Sequence, residues 1–180
     1  TVELNVEEGT QAKAGTNLAT ISGPARALLS GERVALNLVQ QLSGVATLTR
    51  AYVDAVAGTG AKILDTRKTV LGMRTAQKYA VRCGGGTNHR MGLFDAVLIK
   101  DNHIAVAGGV AAAINAAKAS AAKGITIEVE CDTLAQLDEA LAAGCNIVLL
   151  DNMTHEHLPA AVPPPHAPPR APRPPPHPPP

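Results

Sequence analysis

The chain has 180 residues, 46% of them apolar, with two Tyr, one Phe and no Trp. That length supports one ordinary domain with a real core, and a core built from Ala, Val, Leu and Ile favours an α/β architecture of close-packed helices. A net charge of +1 leaves no global field to draw in nucleic acid or a membrane surface, and so few aromatic rings leave no base-stacking platform.

Residues 1–33 are short-period and punctuated by glycine. "VELNV" alternates, "EEGTQAKAGT" is turn-like and "NLATISGPAR" opens as a second strand, so this stretch reads as part of a small β-rich domain. From residue 34 the period changes. Val34, Leu38, Leu42, Val45, Leu48, Tyr52 and Val56 recur at helical spacing. Gly44 marks either a close helix contact or a break between two helices. Strand and helix then alternate: strands at 62–65, 95–102, 125–131 and 146–152, and helices at 70–81, 110–124 and 133–144. Thr133 is the expected N-cap of the last helix and Gly144 its terminator. Repeating βα units with near-continuous apolar strands predict a parallel sheet over 34–158.

Residues 159–180 differ in kind, holding only Pro, Ala, Arg, His and one Val. The expectation is a disordered or polyproline II tail with no helix after the last strand. A shifted reading frame of a GC-rich gene produces such a composition; so does a genuine proline-rich ligand. The first residue is Thr1, inside a strand-like run, which reads as a fragment. No stretch is long and apolar enough to cross a bilayer and no signal peptide is visible. Cys83, Cys131 and Cys145 show no metal or disulfide spacing and read as reduced thiols of a cytoplasmic protein, the latter two packed in the core.

Each expected strand ends in polar residues: Asp65, Thr66, Arg67 and Lys68; Lys100, Asp101, Asn102 and His103; Glu128, Glu130 and Asp132; Asp151 and Asn152. In a parallel barrel all these ends open on one face. Arg67, Lys68, His89, Arg90 and Lys100 are then expected on one side of a single mouth and Glu130 and Asp151 on the other, with Glu128 pointing inward beside Glu130. Cations gathered this way repel one another until an anion relieves them, and the guanidinium fork suits carboxylate or phosphate. Paired acids suit a divalent metal or a cationic transition state. Phosphoribosyl transfer, in which pyrophosphate leaves and ribose C1 becomes cationic, has this profile. Asp65 and Asp101 are read as orienting neighbouring cations, the Gly84, Gly85, Gly86 run as a tight backbone passage, and Arg74 and Lys78 as helix-surface residues.

The stretches "GER" with "ALN", "ILDTRKT", "KYAV", "CGGG", "NHR", "LIKDNH", "IEVE" and "LLDNM" together resemble quinolinate phosphoribosyltransferase, also called carboxylating nicotinate-nucleotide pyrophosphorylase. The resemblance runs from about residue 1 to Met153 and is dense over 63–103. It implies a subunit with an N-terminal α/β sandwich, of which 1–33 is a remnant, followed by an α/β barrel, here incomplete. It implies transfer of phosphoribose from phosphoribosyl pyrophosphate to quinolinate with decarboxylation, magnesium as cofactor, NAD biosynthesis as the setting, and a homodimer. By motif, Arg67, Lys68 and Thr66 contact substrate; His89 and Arg90 bind the quinolinate carboxylates; Lys100 lies near the leaving group. Glu130 and Asp151 approach the ribose hydroxyls and the magnesium pyrophosphate, so that Lys68, Lys100, Glu130 and Asp151 form the catalytic set. Arg33 acts in trans from the partner subunit. The family's closing barrel strands are replaced by the proline-rich tail, which leaves a second reading open: a non-catalytic remnant barrel whose tail binds a partner groove.

Overall fold

A computed structural model describes residues 1–145 and 147–162. The expectation of a disordered tail, beyond residue 162, lies outside the described residues. The chain divides into two compact units, the first spanning Thr1–Met91 and the second starting at Gly92.

The first unit opens with β1 (Val2–Leu4) and β2 (Ala19–Ile21), paired antiparallel with Val2 opposite Ile21 and Leu4 opposite Ala19. Both strands are where the alternation placed them. Helix α1 (Ala25–Ala55) starts directly after Pro24, whose fixed φ suits a helix entrance and whose missing N–H costs nothing there. It runs unbroken through residues 33 and 34, so the domain boundary expected there falls inside a helix. It also runs through Gly44, where an added Cβ would meet nothing within 4 Å, so that glycine marks neither a break nor a contact.

The close contact lies elsewhere. Helix α2 (Arg74–Cys83) ends in the glycine run and packs on α1 through it. A Cβ on Gly84 would stand 2.4 Å from the Ala46 carbonyl oxygen and 2.7 Å from Thr49 Cβ; one on Gly86 would stand 2.8 Å from Thr49 Cγ2. Thr49, buried there, donates its hydroxyl to the Val45 carbonyl at 2.8 Å and so brings no unsatisfied group into the contact. The tight backbone passage expected at this run is present, and its function is helix packing. The strand expected at 62–65 is reduced to one parallel bridge, Leu64 with Thr87.

The second unit is a parallel sheet in the order β3 (Ala96–Ile99), β4 (Thr126–Cys131), β5 (Ile147–Leu150). Val97 lies beside Ile127 and Glu130 beside Leu149. Helices α4 (Val110–Ser120) and α5 (Leu134–Ala142) cover it, and Ile99, Val110, Ile114, Val129, Cys131 and Ala140 form the core. Thr133 caps α5 as expected, accepting from Gln136 N at 3.2 Å, while Gln136 Oε1 accepts from Thr133 N at 3.2 Å. Gly144, at φ 71°, closes the other end.

Two elements correct the sequence expectation. The strand expected over 95–102 stops at Ile99, and Asp101–Ala107 forms helix α3. His103 makes that start possible: its Nδ1 accepts from Lys100 N at 2.9 Å, satisfying a helix-end donor. A short turn of helix, α6 (Leu158–Ala161), also follows the last strand, with Pro159 in its first turn. Residues 158–161 are therefore helical where the tail was expected to begin. The cysteines are free; Cys131 and Cys145 are buried, and burial pushes the Cys131 thiol up to about 11.

Candidate anion-binding and acidic sites

In the first unit the polar residues are organised by Asp65. Its carboxylate accepts from Lys78 Nζ, from Asn88 Nδ2 and, at 2.8 Å, from His89 N. Lys78 Nζ also donates to the His89 carbonyl at 3.1 Å, and Asn88 Nδ2 to the Lys78 carbonyl at 2.8 Å. The ion pair is buried, with Lys78 2% and Asp65 7% exposed. Lys78 is thus an interior residue, contrary to the helix-surface position expected of it. Arg74 turns inward as well: Nε donates to Thr69 Oγ1, Nη1 to the Met91 carbonyl and Nη2 to the Arg67 carbonyl, each at 3.2 Å. The signal was available. Arg74, Lys78 and Val81 fall at i, i+4 and i+7, one helix face, and Val81 is apolar.

This scaffold presents the basic segment. Lys68 N donates to Thr66 Oγ1 at 3.0 Å, a local turn that leaves both side chains exposed. Asp65, Thr66, Lys68, Thr69, Gln77 and Lys78 line a cleft of about 220 Å³. Arg67 Nε is buried with no hydrogen-bond partner among the described residues. A buried N–H without an acceptor costs about 1–3 kcal/mol. His89 and Arg90 follow Asn88 and are half-buried. Arg33 is not part of this group: it is exposed on α1, about 18 Å along the helix axis from Val45 at the cleft wall.

In the second unit the strand ends bring three expected residues together. Lys100 follows β3 and its Nζ donates to Glu130 Oε2, on β4, at 2.8 Å. That hydrogen bond holds the Lys100 ammonium above the usual lysine range, with Asp101 and Asp151 adding to the effect and partial burial opposing it. Asp151 extends β5, donating its N–H to the Cys131 carbonyl at 3.0 Å. Asn152, in the left-handed region at φ 52°, donates to Asp151 Oδ2 at 3.1 Å and Asp132 Oδ1 at 3.4 Å. Left-handed backbone is tolerated by Asn, and here it lets one amide bridge two carboxylates. Glu128 is buried two residues before Glu130 on the same strand face. Among the described residues no group of three or more His, Cys, Asp or Glu side chains forms a metal site. Glu130 and Asp151 are oxygen donors of the kind a hard cation takes when substrate phosphates supply most of its ligands.

The second unit is a parallel α/β sheet with Lys100, Glu130 and Asp151 at the carboxyl ends of its strands, the end at which α/β proteins as a class place their small-molecule sites. Residues 1–43 match the N-terminal domain of quinolinate phosphoribosyl transferase and residues 45–166 match its C-terminal domain. The chain belongs to the quinolinate phosphoribosyl transferase family. It is 54% identical over 151 residues to the nicotinate-nucleotide pyrophosphorylase (carboxylating) of Mycobacterium leprae, covering 84% of this chain and 53% of that protein. Against the human protein of the same name it is 42% identical over 153 residues, covering 84% and 52%. The crystal structure of NadC from Streptococcus pyogenes superposes with a TM-score of 0.85 at 46% identity, over 89% of this chain and 57% of that one. The chain spans about half the length of the curated relatives it matches.

Proposed function

We propose that this chain carries substrate-binding and catalytic groups for phosphoribosyl transfer from phosphoribosyl pyrophosphate to quinolinate, with decarboxylation to nicotinate mononucleotide. The observation that carries the reading is the cationic segment of the first unit, where Thr66 and Lys68 wall a cleft and Arg67 keeps a buried donor without an acceptor among the described residues.

Arg67, Lys68, His89 and Arg90 take the two carboxylates of quinolinate and hold its ring. The ring nitrogen attacks ribose C1, and the C1–oxygen bond breaks with its electron pair going to pyrophosphate. Glu130 and Asp151 stabilise the positive charge that builds on the sugar, and Lys100 the negative charge on the leaving oxygens. The quaternised ring then accepts the electron pair as the carboxylate at C2 departs as carbon dioxide, and a solvent proton fills that position. No covalent nucleophile is required. Magnesium, when bound, would neutralise pyrophosphate and be held mainly through it, with Glu130 and Asp151 nearby. Arg33, remote from its own cleft, acts in a partner subunit of a homodimer. Among the described residues no helix is long and apolar enough to cross a membrane, and the free cysteines suit a reducing, cytoplasmic setting.

Calorimetric titration tests the reading. Quinolinate binds the chain, nicotinate binds at least about tenfold more weakly because one charge-assisted contact is lost, and Lys68→Ala abolishes the difference. Equal affinity for the two ligands, or no binding of quinolinate, overturns it.

A further inference from the structure

We propose that Lys78 is a positioning residue for the dicarboxylate: its buried ammonium ties together the two chain segments, 65–68 and 88–90, that carry the groups assigned to the carboxylates. The proposal rests on the functional reading above and concerns a residue that does not itself contact substrate.

The argument starts from what an interior lysine demands. Lys78 is 2% exposed, and an ammonium leaves water only at a large cost that a well-packed apolar side chain in the same space would avoid. What the charge secures is geometry. Its Nζ donates to Asp65 Oδ1 and, at 3.1 Å, to the His89 carbonyl. The same Asp65 oxygen accepts the His89 N–H at 2.8 Å. Both peptide groups of His89 are therefore held by the two halves of one ion pair, the N–H by the anion and the carbonyl by the cation. Fixing the peptide planes on both sides of a Cα fixes the direction in which its side chain leaves, and that of Arg90 after it. Asn88 completes the clamp, bridging the other Asp65 oxygen and the Lys78 carbonyl. At its far end the clamp reaches the cleft wall, because Asp65 is followed directly by Thr66, Arg67 and Lys68, and Lys78 lines that cleft with Thr66 and Lys68. A displacement of about 1 Å in such groups is enough to cost large factors in binding or rate.

A purely structural ion pair makes a different prediction, so affinity and stability are read separately. Quinolinate is titrated calorimetrically into the chain, Lys78→Met, Lys78→Arg and the double variant Asp65→Asn/Lys78→Met, with thermal unfolding and the His89 backbone amide resonance followed in each. Lys78→Met leaves a buried carboxylate unpaired and lowers the unfolding midpoint. The double variant has no unpaired buried charge and recovers most of that midpoint. It still binds quinolinate at least about tenfold more weakly than the unsubstituted chain, with the His89 amide resonance shifted. Lys78→Arg, which keeps the charge and its donors, restores part of the affinity. A folded double variant with unchanged affinity and an unmoved His89 resonance overturns the proposal and leaves the functional reading intact. Failure of the unsubstituted chain to bind quinolinate overturns that reading, and the proposal with it.

Discussion

The two units each hold a lysine against a carboxylate, and they do so under opposite conditions. Lys78 and Asp65 are almost wholly withdrawn from water, whereas the Lys100 side chain is 47% exposed beside Glu130. In the first case the charges see a poor dielectric, and the ammonium is held by the Asp65 carboxylate and the His89 carbonyl. In the second, solvent screens the pair and a bound ligand can exchange it. The contrast separates two uses of charge in one chain: the buried pair builds the scaffold, and the open pair stands at the strand ends where chemistry is proposed.

Substitutions that break this contrast should differ most in stability. Asp65→Ala strands the Lys78 ammonium in the interior together with the Asn88 and His89 donors; about 3–5 kcal/mol is the expected loss, read from the urea midpoint. A loss below about 1 kcal/mol would mean that water reaches Lys78 and the pair is not a buried one. Lys68→Ala acts in the opposite manner. It should lower turnover of quinolinate about 10²-fold, the size seen when a preorganised charge contact disappears, while leaving the midpoint within about 0.5 kcal/mol. Unchanged turnover would remove Lys68 from the catalytic set.

Gly84→Ala sharpens the first unit's side of the comparison by testing the packing on α1 of α2, the helix that carries Lys78. The new methyl would press on the Ala46 carbonyl and Thr49, and overpacking of this kind costs about 1–3 kcal/mol. Gly44→Ala, with open space around it, should cost nothing and gain up to about 1 kcal/mol of helix propensity.

The smallest effect belongs to the open pair. Glu130→Gln should cost at most about 1 kcal/mol, and 1 M salt should erase the difference between variant and parent. Its pH dependence has a definite sign. The Lys100 ammonium is held above the usual lysine range, so the pair's contribution is fully present at neutral pH and up to the ordinary lysine value. It disappears only as pH climbs through the raised value. A contribution already lost between pH 7 and 9 would contradict the Glu130 contact.

Much of this was legible in the residues. Period-2 runs marked β1 and β2, apolar runs between helical stretches marked β4 and β5, and Thr133 marked the start of α5, because each of these signals is local. The polar strand ends, with Thr66, Lys68, Lys100, Glu130 and Asp151 among them, were readable for the same reason. Misreadings arose where distant residues override local preference. Lys78 looked like a surface lysine because its carboxylate partner is supplied by a segment thirteen residues away. The apolar run at 62–65 looked like a strand, yet among the described residues it forms one isolated bridge, Leu64 with Thr87. Residues 100–102 looked like the end of β3 until the His103 ring capped a helix there.

From its residues alone, this chain's alternation of elements, its parallel sheet and the kinds of charge at its strand ends follow, because hydrophobic period and turn chemistry act over a few neighbours. Folding in three dimensions settled which of those charges are withdrawn into scaffold and which stay open. Whether an ammonium is buried depends on the partners that reach it from elsewhere in the chain, and neither composition nor spacing records that.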